Sequence, residues 1–402
     1  MSGQFSRWKK KIRFLVWLVA LLLPLATAPQ GTAVSAHTPV HTSGGAQTGL
    51  SSPVRTSQVD QPTPITPDGF DPQNYFADKT IELIVGVSPG GGYDIFSRLL
   101  AQHGAKYFPP STKFLVKNYP GGGQLRGHRV LWTAKPDGLS IGPVHPRWFF
   151  AAAIKQEVPN FDLNSAVFVG SPTFGISRTG NYICADASRI RSWSDVLATG
   201  QPLTVGELAP GDGTSAGAAL LELLGGPIKM VYGYGGSAEV MAAFNRREVM
   251  AIAYCNETLV PRLFPDWMKA KRLVPLFWWA APPDPEWLKK LGFKGEVPNL
   301  FDLPGVKISE DDKAAFDVMV QITASTRTYM LPNGTPSHIK QFWVSLFRKL
   351  LKDPAFIKAA TAAGYGDVLS YGSGDDIQAA IKQAYGLNQP QLKLLQKLGP
   401  KQ

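Results

Sequence analysis

Three consecutive glycines, Gly90-Gly91-Gly92, interrupt the stretch IELIVGVSPGGGYDIFSRLLAQH where an apolar run gives way to a helical pattern. Glycines at such a handover let the main chain approach a ligand closely. The helix that follows offers unpaired N–H groups to an anion. The loop has neither the Gly-Lys-Ser/Thr ending of a nucleotide P-loop nor GxGxxG spacing, which argues against a cofactor phosphate. A smaller anion such as a carboxylate needs fewer donors and fits better. Tyr93 and Asp94 complete the loop. Asp94 stands in the first helical turn, where it caps N–H groups; alternatively it orders the loop, fixes a bridging water or receives a ligand amine. Arg98, one turn on, is spaced to pair with it.

A second glycine loop, APGDGTSAG, runs from Ala209 to Gly217. It contains G-x-S-x-G, the spacing of a hydrolase nucleophile elbow centred on Ser215. An elbow serine follows its strand almost at once, whereas Ala209-Pro210-Gly211-Asp212 intervene here. Chain order leaves His338 and an acid such as Asp302 as triad partners. A secreted serine hydrolase using Ser215 is therefore the alternative function. The reading preferred is that Gly213, Thr214 and Ser215 present N–H groups and hydroxyls to an anion at a helix start. Asn118 ends a strand ahead of the PGGGQLRG turn, and His145 and Arg147 end another. Arg147 either grips a carboxylate bidentately or forms a surface ion pair. Tyr234 and Gly235, followed by Gly236, mark a further strand–helix junction, where the aromatic ring walls a ligand or packs on its own lobe.

The elements that must position these loops are legible from Lys79 onward, where short apolar runs alternate with helical patterns. That alternation predicts an α/β fold of βαβ units with mainly parallel sheets flanked by helices. The pattern restarts after SAVFVGSPTFGISRT and returns at TYMLP. Two lobes are expected, one from 79–172 plus 326–402 and one from 173–325. Ligands of open α/β sheets sit beyond the carboxyl ends of the strands, where both glycine loops fall. The tail reads as helices, the first with Thr335 as N-cap.

Ahead of the folded body, Arg7, Lys9, Lys10, Lys11 and Arg13 precede an apolar stretch from Phe14 to Ala28 and a small-residue site at Val34-Ser35-Ala36. This is the layout of a secretory signal peptide over 1–36, with an uncleaved membrane anchor as the alternative. Residues 37–78, rich in Thr, Ser, Pro, Gly and Gln, read as a disordered linker. Removing the five basic residues of the leader takes the formal charge from +11 to +6. The remaining basic residues are scattered, so nucleic acid is not an expected partner. Cys184 and Cys255 are the only cysteines; buried free thiols are expected, although export permits a disulfide. No His/Cys cluster has metal-ligand spacing, and no cofactor is expected.

Taken in order, VSPGGGYDIFSRLLA, VKNYPGGGQLRGHRVLWTAKPDGLSIG, GDGTSAGAALLELLGG, YGGSAEVMAAFNRREV and LPNGTPSHIKQF resemble the periplasmic receptors of the tripartite tricarboxylate transporters, the Bug proteins. The resemblance runs from about Lys79 to the C-terminus. It implies a monomeric, two-lobed Venus-flytrap protein that captures a small carboxylate and delivers it to a membrane permease. It also implies that main-chain amides, small hydroxyls and waters from 90–94 and 211–215 hold the ligand, with no catalysis. The chain departs from the family pattern at three places. Lys117 and Tyr119 flank Asn118 where Glu and Arg are usual. Gly217 replaces a common His, and VYGYGG replaces Val-Pro-Tyr-Lys-Gly-Gly.

Overall fold

The computed structural model describes residues 70–175, 181–256 and 260–400. The leader and most of the linker lie outside these residues. The linker ends earlier than its composition suggests. Asp71 caps a short helix, Pro72–Tyr75, and Phe76 is fully buried against the first lobe, so 70–78 belong to the body. Aromatic residues decide this, since Phe76 packs edge-on to Phe108 and an apolar side chain gains from leaving water.

The first sheet holds β1 (Thr80–Val85), β2 (Lys113–Asn118), β3 (Ser140–Val144), β4 (Val167–Gly170) and β12 (Thr328–Leu331) in the order β2-β1-β3-β12-β4. β2, β1 and β3 are parallel, while the returning β12 runs antiparallel between β3 and β4. The second sheet has the order β10-β6-β9-β7-β8, with β6 Tyr182–Asp186, β7 Leu203–Glu207, β8 Ile228–Tyr232, β9 Ala251–Ile252 and β10 Leu273–Trp278. β9, β7 and β8 are parallel; β6 and β10 are antiparallel additions. Both sheets are thus mixed, and β1, β2, β3, β7 and β8 end at the loops singled out above. Helices pack against β1, where Ile81, Leu83 and Val85 are fully buried on one face and Ile84 is nearly so on the other, with Glu82 as the polar break in the run.

The chain crosses between the sheets at β5 (Thr173–Phe174) and β11 (Ser325–Thr326), which pair antiparallel as a two-stranded ribbon. Arg327 alone separates β11 from β12, and it adopts a left-handed φ of 55°. Of the tail helices, Ser337–Leu350 packs on β4 and Pro354–Ala362 on the helix after the glycine triplet. The last, Gln389–Leu398, lies against Glu310–Thr323 and Ala216–Leu223, burying Leu395 and Leu398. The sequence had placed all of 326–402 with the first lobe.

The expectation of free thiols is corrected: Cys184 and Cys255 form a disulfide. The antiparallel pairing of β6 with β9 sets Cys184 opposite Ile252 and brings the two cysteine Cα atoms to 5.9 Å, inside bonding range. Sequence separation hid a neighbour relation that sheet order created.

Candidate functional site

The triplet loop joins β1 to the helix Gly92–Gly104. Its glycines do different things. Gly90, at φ 86°, donates its N–H to Asp94 Oδ2 at 2.9 Å, so that donor faces inward. Among the described residues, no acceptor meets the N–H groups of Gly91, Gly92 or Tyr93. These are the unpaired donors of a helix start. Asp94 is the loop's organiser and not a ligand for an amine: it also accepts from Arg98 Nε (3.0 Å) and Nη2 (2.9 Å) and from Asn118 Nδ2 (2.9 Å). Burial opposes its ionisation, but the hydrogen bonds from Arg98, Gly90 and Asn118 outweigh this and hold its carboxyl below the usual range. Asn118 completes the brace by donating to the Val87 carbonyl (2.9 Å), so its amide is spent on the loop.

The second loop precedes the helix Ala216–Leu223. Asp212 Oδ1 accepts from the Thr214 N–H at 2.8 Å, and the Ser215 N–H donates to the Asp212 carbonyl at 3.3 Å. Both main-chain donors expected to meet an anion are therefore used within the loop. What remains are the Thr214 and Ser215 hydroxyls, for which no partner exists among the described residues, and the Gly213 N–H. Gly213 is packed: a Cβ there would stand 2.1 Å from Thr323 Oγ1.

His145 and Arg147 are both engaged with this loop. Arg147 is fully buried, so the expected surface pair is corrected. Its Nη1 donates to the carbonyls of Ala209 (2.6 Å) and Pro210 (3.2 Å), and its Nη2 to Asp212 Oδ2 (2.9 Å). His145 Nε2 lies 3.0 Å from the same carboxylate oxygen, while its Nδ1 accepts from the N–H and Nε of Arg147, both at 3.2 Å. Burial lowers the His145 pKa more than Asp212 raises it, leaving a neutral imidazole that donates through Nε2. Burial also opposes ionisation of Asp212, but His145 and Arg147 dominate and hold it ionised. First-lobe side chains thus grip the second-lobe loop through a buried charge pair. The Tyr93 ring stacks on His145 at 5.6 Å, which brings the start of the first helix beside this clamp.

Tyr234 packs against Gly206, and Gly235 forms a lobe-to-lobe contact: its carbonyl accepts from the Ser88 N–H at 3.0 Å and its N–H donates to Glu239 at 2.9 Å. The Gly235 main chain is thus spent on these contacts. Further out, an open cavity of about 470 Å³ lies between Pro261, Pro265, Met268 and Trp287 on one side and Thr361, Gly364 and Gly366 on the other. Tyr365, between those two glycines, donates its hydroxyl to the Gly92 carbonyl at 2.8 Å.

Two groups escaped sequence reading. Arg327 follows the crossing ribbon, and its guanidinium lies between the Tyr93 and Tyr365 rings, 5.5 and 4.9 Å from their centroids. A cation inserted into the apolar return segment STRTYMLP was the available signal. Glu207 ends β7 fully buried, with Oε1 accepting from Tyr254 and from the Leu208 N–H while Oε2 has no partner. Burial first, then the Asp212 charge, pushes its pKa up to about 8, so Glu207 is a neutral acid at neutral pH. The unfolded chain ionises this carboxyl near 4.5, so the stability it confers is complete below that pH and is lost as pH rises toward 8. Glu207→Gln is expected to gain on the parent between pH 5 and pH 8, by on the order of 2–4 kcal/mol. Urea unfolding at the two pH values reads the change; a constant difference between the proteins contradicts a neutral Glu207.

The hydrolase geometry is missing. Ser215 has a relaxed backbone (φ −116°, ψ 8°), and no described histidine hydrogen-bonds to it. His338 instead packs at a tilt against Phe70, ring centroids 4.7 Å apart, beside the first lobe.

No family profile and no curated protein matches this sequence. Solved structures do. One described as the periplasmic binding protein BugD matches at TM-score 0.57 and 18% identity, covering 81% of this chain and 99% of that one. R. palustris Rpa4515 with adipate matches at TM-score 0.56 and 17% identity, covering 80% and 99%. MatC (Rpa3494) from Rhodopseudomonas palustris with bound malate matches at 0.54 and 16%, covering 80% and 98%. At these identities the likeness shows the two-lobed periplasmic-binding-protein fold.

Proposed function

We propose that this chain is an extracytoplasmic receptor that holds a small organic carboxylate between its lobes and hands it to a membrane permease of the tripartite type, without chemical turnover. What supports the reading is the pairing of two features: unpaired N–H groups of Gly91, Gly92 and Tyr93 at a first-lobe helix start, and a Tyr93 ring stacked on His145, which with Arg147 holds the Asp212 loop that carries the Thr214 and Ser215 hydroxyls. A helix start favours negative charge, and small hydroxyls complete an oxyanion's coordination. The first lobe is taken as 70–172 with the return strand and the helices that pack on it, and the second as 173–325 joined by the last helix. The Cys184–Cys255 disulfide supports export, since such bonds persist in oxidising compartments. The basic leader supports cleavage near Ala36, which N-terminal sequencing of the secreted chain tests.

Two fold-mates carry adipate and malate in their descriptions, which favours a carboxylate over other anions. Asp94, Asn118, His145 and Arg147 serve the site indirectly, by fixing the two loops. Ser215→Ala removes one hydroxyl from the ligand shell and leaves the loop hydrogen bonds unchanged. Its expected cost is about 1–2 kcal/mol of binding, read by calorimetry with the best acid from a thermal-shift panel. Hydrolysis of an ester probe by the parent and its loss in this variant would replace the receptor by an esterase.

A further inference from the structure

Every charged side chain bracing the two loops is already matched, save one. Asp94 is paired with Arg98, and Asp212 with Arg147 and His145. Arg327 forms an ion pair with no acid among the described residues. Its Nη1 reaches Thr173 Oγ1 at a long 3.3 Å, and its Nε is buried without an acceptor. Such a donor in a folded protein gains from meeting an acceptor, and a bound anion can supply one. The guanidinium is also aimed. A Cβ on Gly92 would stand 3.0 Å from Nη2, which places the cation against the main chain whose N–H groups are unpaired. The left-handed φ of 55° at Arg327 is a backbone strain that a non-glycine residue adopts only when the surroundings impose it, and such strain gathers at functional positions.

Resting on the receptor reading, we propose that Arg327 is the ligand's direct charge anchor, pairing with its carboxylate at the glycine loop between the Tyr93 and Tyr365 rings, and that the cleft therefore selects non-amino organic acids over α-amino acids. Among the described residues the site offers an unpaired cation, while Asp94 and Asp212 are spent on their braces, Glu207 is neutral and Glu239 holds the Gly235 N–H. An ammonium beside the bound carboxylate would face Arg327 with nothing to offset it, a repulsion that a hydroxyl or keto group avoids.

The test is calorimetry on the full chain with matched pairs that differ only in that substituent, malate against aspartate and 2-hydroxyglutarate against glutamate. The parent is expected to bind the hydroxy acid of a pair about tenfold or more tightly than the amino acid. Arg327→Gln should weaken hydroxy-acid binding by about 30-fold or more, and Arg327→Lys, which keeps the charge but not the fork, should recover part of it. Circular dichroism melts verify that both variants fold. Binding by Arg327→Gln within twofold of the parent, or preference for the amino acid, overturns this inference and leaves the receptor reading standing. If no carboxylate binds the parent at all, the receptor reading fails first and this inference with it.

Discussion

Gly92→Val is expected to abolish carboxylate binding while leaving both lobes folded. Gly92 opens its helix with an ordinary helical backbone, so valine introduces no φ strain there. Its side chain would enter the space now held by Arg327 Nη2, 3.0 Å from the Cβ position, and by the Tyr365 hydroxyl at 3.6 Å. The guanidinium is the free end of a long side chain and can swing away at little cost to stability. Doing so removes the cation and covers the unpaired N–H groups together. A loss of about 100-fold or more, roughly 3 kcal/mol, is expected for the best acid of the panel. Gly90→Ala provides a contrast. Open space surrounds its Cβ position, but its φ of 86° opposes any side chain, so it should loosen the loop by about 1 kcal/mol without blocking the anion. Calorimetry and thermal melts on the two variants separate these outcomes. If Gly92→Val binds as the parent does, the anion does not sit on this loop.

The largest stability effect is expected at Arg147. Arg147→Met would strand Asp212, a carboxylate with only 5% of its surface exposed, beside a neutral His145. Removing one partner of a buried ion pair costs about 3–5 kcal/mol, mostly the penalty of the charge left behind. Two consequences distinguish this from lost packing. Arg147→Met combined with Asp212→Asn should cost less than Arg147→Met alone, because no uncompensated charge remains. The parent-to-variant gap should also depend on pH with a defined sign. In the parent the clamp depresses the Asp212 pKa, so its contribution is complete above the unfolded carboxyl value near 4 and is lost as pH falls. The gap should therefore be widest at pH 7 and narrow below about pH 4. Because the pair also ties first-lobe His145 and Arg147 to the second-lobe loop, the radius of gyration should rise in Arg147→Met.

Much of this architecture was legible in the chain, because its signals are local. Apolar runs ending in glycine loops announce strands that hand over to helices, and the restart of that pattern announces a second lobe. The glycine triplet announces a helix start, yet the Gly90 N–H is not one of its open donors, because Asp94 takes it. Such a bond depends on a loop conformation, not on residue type. His145 and Arg147 have the chemistry of ligand residues, but their partner is Asp212, far along the chain and in the other lobe. Only tertiary contact could reassign them. The disulfide was hidden for the same reason, since it follows from sheet order. Arg327 was hidden by its setting in a strand-like return segment. Its importance lies in what it lacks, an acid nearby, and that is invisible without coordinates.

The most direct test of the account is a crystal structure of the protein with the tightest-binding hydroxy or keto acid from the panel. A carboxylate oxygen is expected within hydrogen-bonding distance, about 3 Å, of the Gly91 and Gly92 N–H groups. The Thr214 or Ser215 hydroxyl should approach it from the opposite lobe. An acid seated elsewhere, for instance wholly within the outer cavity beside Trp287, or an adduct on Ser215 Oγ, would contradict it.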